Sequence, residues 1–265
     1  MTGGSRRPLG QHFLVDASVS KRVLTELCPQ PGQAWLEIGP GHGGLTREIA
    51  QAGADVLAVE LDSALAAQLQ QRTTNLANLR VLTGDILAID LEKELAVYAK
   101  PVHIYGSLPY YITSPILSRL FHLMDKVADA TIVVQHEVAQ RLVARPGSRA
   151  YGFLSVEAQW FATCRILFRI APHAFRPKPK VWSALVRLAP PGRKQDLKVV
   201  NAEQFLEFVG LCFRQKRKTL LNNLRGRYGG EKVLTALMLN HLKNKTRAEE
   251  LSVEELAHLF QLLHV

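Results

Sequence analysis

Ala34-Trp35-Leu36-Glu37-Ile38-Gly39-Pro40-Gly41-His42-Gly43-Gly44-Leu45-Thr46-Arg47-Glu48-Ile49-Ala50 reads as a short buried strand, a glycine-rich turn and the start of a helix. Glycines at such a turn let backbone amides approach a ligand closely. Gly39, Gly41 and Gly44 match the spacing of a dinucleotide-binding turn, a pattern that an ordinary strand-to-helix turn also produces. The residues that follow choose between the two.

The run Asp55-Val56-Leu57-Ala58-Val59 is apolar after its first residue and ends in Glu60. A carboxylate about 20 residues past the first glycine is placed to take both hydroxyls of a ribose. A third run, Leu79 to Thr83, ends in Gly84-Asp85, where the acid can accept a hydrogen bond from an exocyclic adenine amine. Either acid alone is a solvated strand end. Both at successive strand ends describe a nucleoside pocket.

A fourth strand, Val102 to Tyr105, leads into Gly106-Ser107-Leu108-Pro109-Tyr110-Tyr111. The stretch Ser107-Leu108-Pro109-Tyr110 resembles the Asn/Asp-Pro-Pro-Tyr or Asn-Leu-Pro-Tyr motif of S-adenosylmethionine-dependent amino methyltransferases. Adenine N6 is a poor nucleophile because its lone pair is delocalised into the ring, so it must be positioned. The resemblance implies that the first side chain and a carbonyl beside the proline accept the amine's hydrogens while the tyrosine stacks on the base. Proline fixes the backbone and removes a competing donor. Aromatic stacking is worth ~1–3 kcal/mol per base.

Further segments narrow the resemblance. Gly10-Gln11-His12-Phe13-Leu14 is similar to the Gly-Gln-Asn-Phe-Leu opening of the rRNA adenine dimethyltransferases. Val134 to Leu142, Pro146 to Gly152 and Leu154-Ser155-Val156 resemble the middle block of that family. Phe175-Arg176-Pro177-Lys178-Pro179-Lys180-Val181-Trp182-Ser183 matches its Phe-x-Pro-x-Pro-Lys-Val-x-Ser signature. The chain is thus identified as a member of the small-subunit rRNA adenine dimethyltransferase type. The resemblance implies S-adenosylmethionine as cofactor and dimethylation at N6 of two adjacent adenines near the 3′ end of the RNA. It further implies an immature small ribosomal subunit as partner; a cytoplasmic location and a monomer are the default expectations. His12, Leu14, Gly39 and Gly41 are expected at the methionine part of the donor, with Ser107 beside it. Glu60 is expected on the ribose and Asp85 on the adenine. Tyr110 is expected on one face of the target base, and Phe175 is either its counterpart on the other face or a core residue.

Two positions depart from the family pattern. His12 and Ser107 both stand where asparagine is usual. A serine hydroxyl can accept one bond from N6 but lacks the reach of an amide oxygen. Slower transfer or arrest at an earlier methylation stage is the expected consequence.

The chain has 33 Lys and Arg against 23 Asp and Glu, a formal charge of +10, which suits a polyanionic partner. The cations cluster at Arg6-Arg7, at Arg141, Arg145 and Arg149, at Lys178 and Lys180, and at Arg214-Gln215-Lys216-Arg217-Lys218. These are the expected phosphate contacts, and affinity resting on them falls steeply with salt.

At 265 residues the chain is long enough for two parts. Alternating strand and helix patterns from residue 33 to about 160 predict a doubly wound α/β sheet, Rossmann-like, with ligands at the carboxyl ends of its strands. Leu167 to Ile170 and Val181 to Leu188 read as later strands, the second antiparallel at an edge. Residues 1–188 then form the catalytic domain, 189–199 a linker, and 200–265 a small helical domain. Its expected helices are Ala202 to Phe213, Lys218 to Leu224, Glu231 to Leu239 and Val253 to His264. Thr246 to Glu250 and Ser252 to Glu255 carry the caps of helix starts.

Cys28, Cys164 and Cys212 lack metal-ligand spacing and fit buried thiols in a reducing compartment. The nine histidines form no close pair, so no metal is expected. No apolar run is long enough to span a membrane, and Met1 to Pro8 lacks a secretory core. Two other functions share this pattern: large-subunit rRNA adenine methylation of the macrolide-resistance type, and a noncatalytic RNA-binding assembly or transcription factor. A nicotinamide dehydrogenase would leave the amine motif unexplained.

Overall fold

A computed structural model describes residues 11–197, 199 and 201–264. Gly10, Arg6 and Arg7 lie outside the described residues. The chain divides into two compact units: one runs to Ala139 and resumes over Arg165–Leu188, and the other combines Gln140–Cys164 with the chain from Ala189 onward.

The elements of the chain, in order, are β1 (Phe13–Leu14), α1 (Ala17–Leu27), β2 (Ala34–Ile38), α2 (Gly44–Gln51), β3 (Asp55–Glu60), α3 (Ser63–Arg72), β4 (Leu79–Thr83), α4 (Leu91–Leu95), β5 (Val102–Ser107), α5 (Thr113–His122), β6 (Val127–Gln135), α6 (His136–Leu142), α7 (Phe153–Phe161), β7 (Thr163–Ile170), β8 (Phe175–Arg176) and β9 (Ser183–Ala189). The main sheet has the order β4-β3-β2-β5-β6-β9-β7. Pairings from β4 to β6 are parallel, and β9 runs antiparallel to β6. Strand order reverses between β2 and β5, and a crevice opens at the carboxyl ends of strands at such a switch.

Local chemistry explains most boundaries. Asp16 and Asp62 cap α1 and α3 by accepting bonds from amides of the first turn. All five residues of β2 are buried, as the parallel strand at the centre of a doubly covered sheet requires. Behind the sheet, Val23 and Leu27 of α1 and Ile49 of α2 pack with Trp35, Val56, Tyr105, Phe168 and Phe175.

The second unit continues with α8 (Ala202–Phe213), α9 (Leu220–Tyr228), α10 (Gly230–Leu239) and α11 (Val253–His264). Ser252 and Glu255 close the start of α11 reciprocally: the Ser252 hydroxyl accepts from the Glu255 amide at 3.2 Å, and the Glu255 carboxylate accepts from the Ser252 amide at 2.8 Å. Trp160, Phe205, Phe208 and Phe260 form its aromatic centre, with ring centroids 4.5–5.6 Å apart.

Several expectations change. The strand over Val181 to Leu188 begins at Ser183 and lies inside the sheet between β6 and β7, so it is not an edge strand. The strand after Lys100 continues through Gly106 to Ser107, because parallel pairing with β6 extends to Val133. The second C-terminal helix starts at Leu220, where Thr219 caps it, and runs on to Tyr228. Cys28 is exposed rather than buried: it ends α1 in a left-handed conformation, φ 47°. The helical unit also draws in Gln140–Cys164, because α7 supplies Trp160 to its centre. The Pro-Gly run after Ala189 is packed, since a Cβ on Gly192 would sit 2.4 Å from the backbone of Trp160 to Ala162.

Candidate active site at the switch of strand order

The glycine turn expected from sequence forms a backbone cradle. Gly39, Gly41 and Gly43 have φ of 68°, 56° and 74°, values that L side chains rarely adopt. Gly41 is constrained further, because a Cβ there would meet the Phe13 ring at 2.8 Å. Phe13 lies in β1, which pairs antiparallel with β8 at Phe13↔Arg176 and Leu14↔Phe175. The sequence reading missed this two-stranded clasp, since two-residue strands leave no periodicity. It seats the segment Gln11–Leu14 over the turn, and His12 Nδ1 donates to the Pro177 carbonyl at 2.6 Å.

A cleft of about 280 Å³ opens here, lined by His12, Leu14, Glu37, Gly39, Glu60, Tyr105, Ser107, Tyr110 and Phe175, among others. A second hollow shares Gly39, Glu60 and Pro109 with it and reaches Gly84, Asp85 and Ile112. The structure therefore brings together His12, Leu14, Gly39, Glu60, Ser107, Leu108, Pro109, Tyr110 and Phe175 in one cleft, with Asp85 in the adjoining hollow. Gly41 holds Glu60 from behind: the Glu60 carboxylate accepts from the Gly41 amide and from the Asp62 amide, both at 3.0 Å. Asp85 accepts from the Leu87 amide at 2.9 Å.

Ser107 ends β5, and its hydroxyl has no hydrogen-bond partner among the described residues. The Pro109 carbonyl is already engaged by the Thr113 hydroxyl at 2.9 Å and the Ile112 amide at 3.2 Å. Tyr110 is half-buried. Its hydroxyl shares a 2.6 Å hydrogen bond with Ser183, and its ring lies 5.2 Å from that of His12. Burial raises the Tyr110 pKa, and the bond to Ser183 opposes the shift. Phe175 is 1% exposed and belongs to the apolar cluster behind the sheet while also forming cleft wall. Its ring is a core member first, so it presents much less free surface than Tyr110.

Glu37 is the site residue that sequence reasoning passed over, although an acid amid Trp35, Leu36 and Ile38 is itself a signal. It is 3% exposed, lines the cleft, and its Oε2 has no hydrogen-bond partner. Burial pushes its carboxyl up to about 7; the neighbouring Thr46 hydroxyl opposes this and Glu60 adds to it. Between the ordinary carboxylate value and about 7, the folded protein then holds a proton that the unfolded chain has lost. Stability should fall as pH rises through that window and level off above it. Glu37→Gln is expected to remove this slope, worth on the order of 3 kcal/mol. Urea midpoints of both proteins from pH 5 to 8 test it, and parallel profiles would show that Glu37 does not titrate there.

The cradle fits an S-adenosylmethionine-sized ligand by its own features: a turn of left-handed glycines at the cleft, a buried carboxylate hydrogen-bonded to that turn, and an unpartnered carboxyl oxygen at the cleft wall. Among the described residues, no group of three or more His, Cys, Asp or Glu is arranged to hold a metal, and no helix is long and apolar enough to cross a membrane.

The expected phosphate contacts fall in both units. Lys178 and Lys180 are exposed beside the β8 clasp in the first. In the second, Arg145 and Arg149 are exposed, and so is the turn Arg214–Lys218, while Arg141 is part-buried at the end of α6. Lys216 laces the two loops of that unit together, donating to the Arg149 carbonyl at 2.8 Å and approaching Glu249 at 3.6 Å.

Residues 4–264 match the family model described as ribosomal RNA adenine dimethylase. A protein of Chlorobium luteolum named ribosomal RNA small subunit methyltransferase A is 40% identical over 258 residues, covering 97% of this chain and 89% of that protein. One of the same name from Koribacter versatilis is 41% identical over 266 residues, covering 96% and 93%. Among solved structures, a dimethyladenosine transferase from Plasmodium falciparum shares the fold, with TM-score 0.76, 22% identity and coverage of 94% and 96%. The 23S rRNA methyltransferase ErmE gives TM-score 0.71 at 27% identity, covering 96% of this chain and 100% of that one. With the glycine cradle, the amine motif and a match that runs through both units, the chain belongs to the ribosomal RNA adenine dimethylase family.

Proposed function

We propose that this protein dimethylates N6 of two adjacent adenines in the 3′-terminal hairpin loop of small-subunit rRNA, using S-adenosylmethionine. The observation that carries this reading is the junction of two sites in one cleft: a glycine cradle braced by Glu60, and the Ser107–Tyr110 motif directly beside it. The names of the relatives at about 40% identity support the small subunit as the source of the RNA.

When bound, the donor supplies an electrophilic methyl group. The chain's own residues do the positioning. Glu60 takes the ribose, Asp85 the adenine amine of the donor, and the backbone around Gly39 and Gly41, with His12, Leu14 and Ser107, the methionine part. Tyr110 stacks the target adenine against the cleft wall that includes Phe175. With the Pro109 carbonyl engaged, the Ser107 hydroxyl and the Leu108 carbonyl are the acceptors left for the target amine. No dedicated base is required, because the amine sheds its proton after transfer, and alignment supplies most of the rate. Arg141, Arg145, Arg149, Lys178, Lys180, Arg214, Arg217 and Lys218 contact phosphates, with Lys216 both charged and structural. The substrate is an immature subunit in the cytoplasm, the protein acts as a monomer, and no metal takes part. Within residues 1–188 the methyl transfer is carried by the unit that ends at Ala139 and resumes over Arg165–Leu188, while Gln140–Cys164 packs in the helical unit with 189–199 and 200–265.

Labelled S-adenosylmethionine, the protein and separated undermethylated subunits test this, with nucleosides identified by mass. N6,N6-dimethyladenosine in the small subunit is the expected product. Label in the large subunit, or small-subunit binding without transfer, would overturn it. Ser107→Asn is expected to raise the single-turnover rate about tenfold, ~1.4 kcal/mol of barrier, and to increase the dimethyl fraction. Equal rates and product ratios would mean that the serine hydroxyl already serves as well.

A further inference from the structure

Trp182 occupies the variable position of the Phe-x-Pro-x-Pro-Lys-Val-x-Ser stretch and is 45% exposed, whereas Trp35 and Trp160 are 1% and 0% exposed. Leaving a large indole in solvent forgoes the burial that usually stabilises it. Its surroundings are cationic. The Arg169 guanidinium lies over the ring, 4.6 Å from its centroid, and the exposed Lys178 and Lys180 precede Trp182 closely in the chain. The backbone is held in place, because the Trp182 carbonyl accepts from the His136 amide at 2.8 Å, one residue beyond the β6–β9 pair Gln135↔Ser183.

The next residue, Ser183, turns its hydroxyl to Tyr110 at 2.6 Å. Trp182 immediately precedes β9, and its backbone is one residue from that ring's hydrogen-bond partner. A ring backed by a guanidinium, next to exposed lysines, is the chemistry that holds an unpaired base and its phosphates.

We propose that Trp182 is a second stacking platform, which holds an unpaired nucleotide flanking the target adenine while Tyr110 holds the target itself. The proposal rests on the rRNA-methylating reading above. Arg169 keeps the indole in one orientation, and Lys178 and Lys180 take the phosphates of the flanking nucleotide.

Because the other two tryptophans are buried, the acrylamide-accessible component of the emission reports on Trp182. The probe is an RNA hairpin carrying the 3′-terminal loop of small-subunit rRNA with two unmethylated adjacent adenines, its binding followed independently by filter retention. Saturation should quench the exposed component of the emission and shield it from acrylamide. Trp182→Phe, which retains a stacking ring, should lose the optical change while its Kd stays within about threefold. Trp182→Ala should raise KM for RNA about tenfold with kcat within about threefold, as expected of a residue that binds beside the reacting base. Retained hairpin with unchanged emission, or an unchanged KM in Trp182→Ala, would overturn the platform and leave the methylation reading standing. Failure of the intact protein to bind the hairpin or small subunits would overturn both.

Discussion

Tyr110→Ala should reduce kcat/KM for RNA methylation by about 10- to 100-fold, while the affinity for S-adenosylmethionine changes much less. Loss of a base stack is worth ~1–3 kcal/mol, and 1.36 kcal/mol corresponds to about tenfold in rate. The ring is also fixed at its far end by the 2.6 Å bond to Ser183, so alanine removes both the platform and its anchor. Tyr110→Phe separates the two contributions. It keeps the stack and loses one hydrogen bond, for a cost of about 1 kcal/mol, or roughly fivefold. Steady-state kinetics on the RNA hairpin and calorimetric titration of the cofactor measure both. If Tyr110→Phe were as damaging as Tyr110→Ala, the hydroxyl rather than the ring would be the working group.

Glu60→Gln should weaken S-adenosylmethionine binding by about 10- to 100-fold. The carboxylate accepts from two backbone amides, Gly41 and Asp62, and presents the charge proposed for the ribose hydroxyls. Hydrogen bonds to a charged acceptor are worth roughly 1.5–3 kcal/mol each. An amide in its place has one acceptor and one donor end, so an NH2 group must face either the Gly41 or the Asp62 amide. The glycine turn loses its brace while the strand keeps its shape. Calorimetric titration measures the effect, and a Kd within twofold of the parent would mean that the turn is held by its own backbone and that ribose binding does not depend on this charge.

The two variants act on different parts of one cleft, and their legibility differs in the same way. Gly39, Glu60, Asp85 and the Ser107–Tyr110 motif were readable because each sits at a strand end, where a hydrophobic run stops and a residue of definite chemistry begins. The termini of β4, α8 and α11 were readable for a related reason, since Asn201 caps α8 and the Ser252–Glu255 pair closes the start of α11. Such signals are local in the chain.

What escaped the reading was nonlocal. The order that puts β9 between β6 and β7 depends on which edge of the sheet is free after β6, and residue order along the chain carries no mark of it. The β1–β8 clasp joins segments about 160 residues apart through two backbone pairs, too few for any periodic pattern. Phe175 has the same identity whether it stacks a base or fills a core, and only the packing of Trp35, Tyr105 and Phe168 around it decides that it is buried. Glu37 is an ordinary acid in the sequence; its neighbours in space raise it to about 7.

The amino-acid sequence by itself determined the class of sheet, the glycine turn and the strand-end positions of Glu60, Asp85 and the Ser107–Tyr110 stretch, because propensity, glycine conformation and strand-end acids act over a few residues. Tertiary structure alone decided how strands from distant parts of the chain are ordered, which aromatic rings are free and which are buried, and how a carboxyl group titrates. Those properties depend on dielectric surroundings and packing partners that are brought together only when the chain folds.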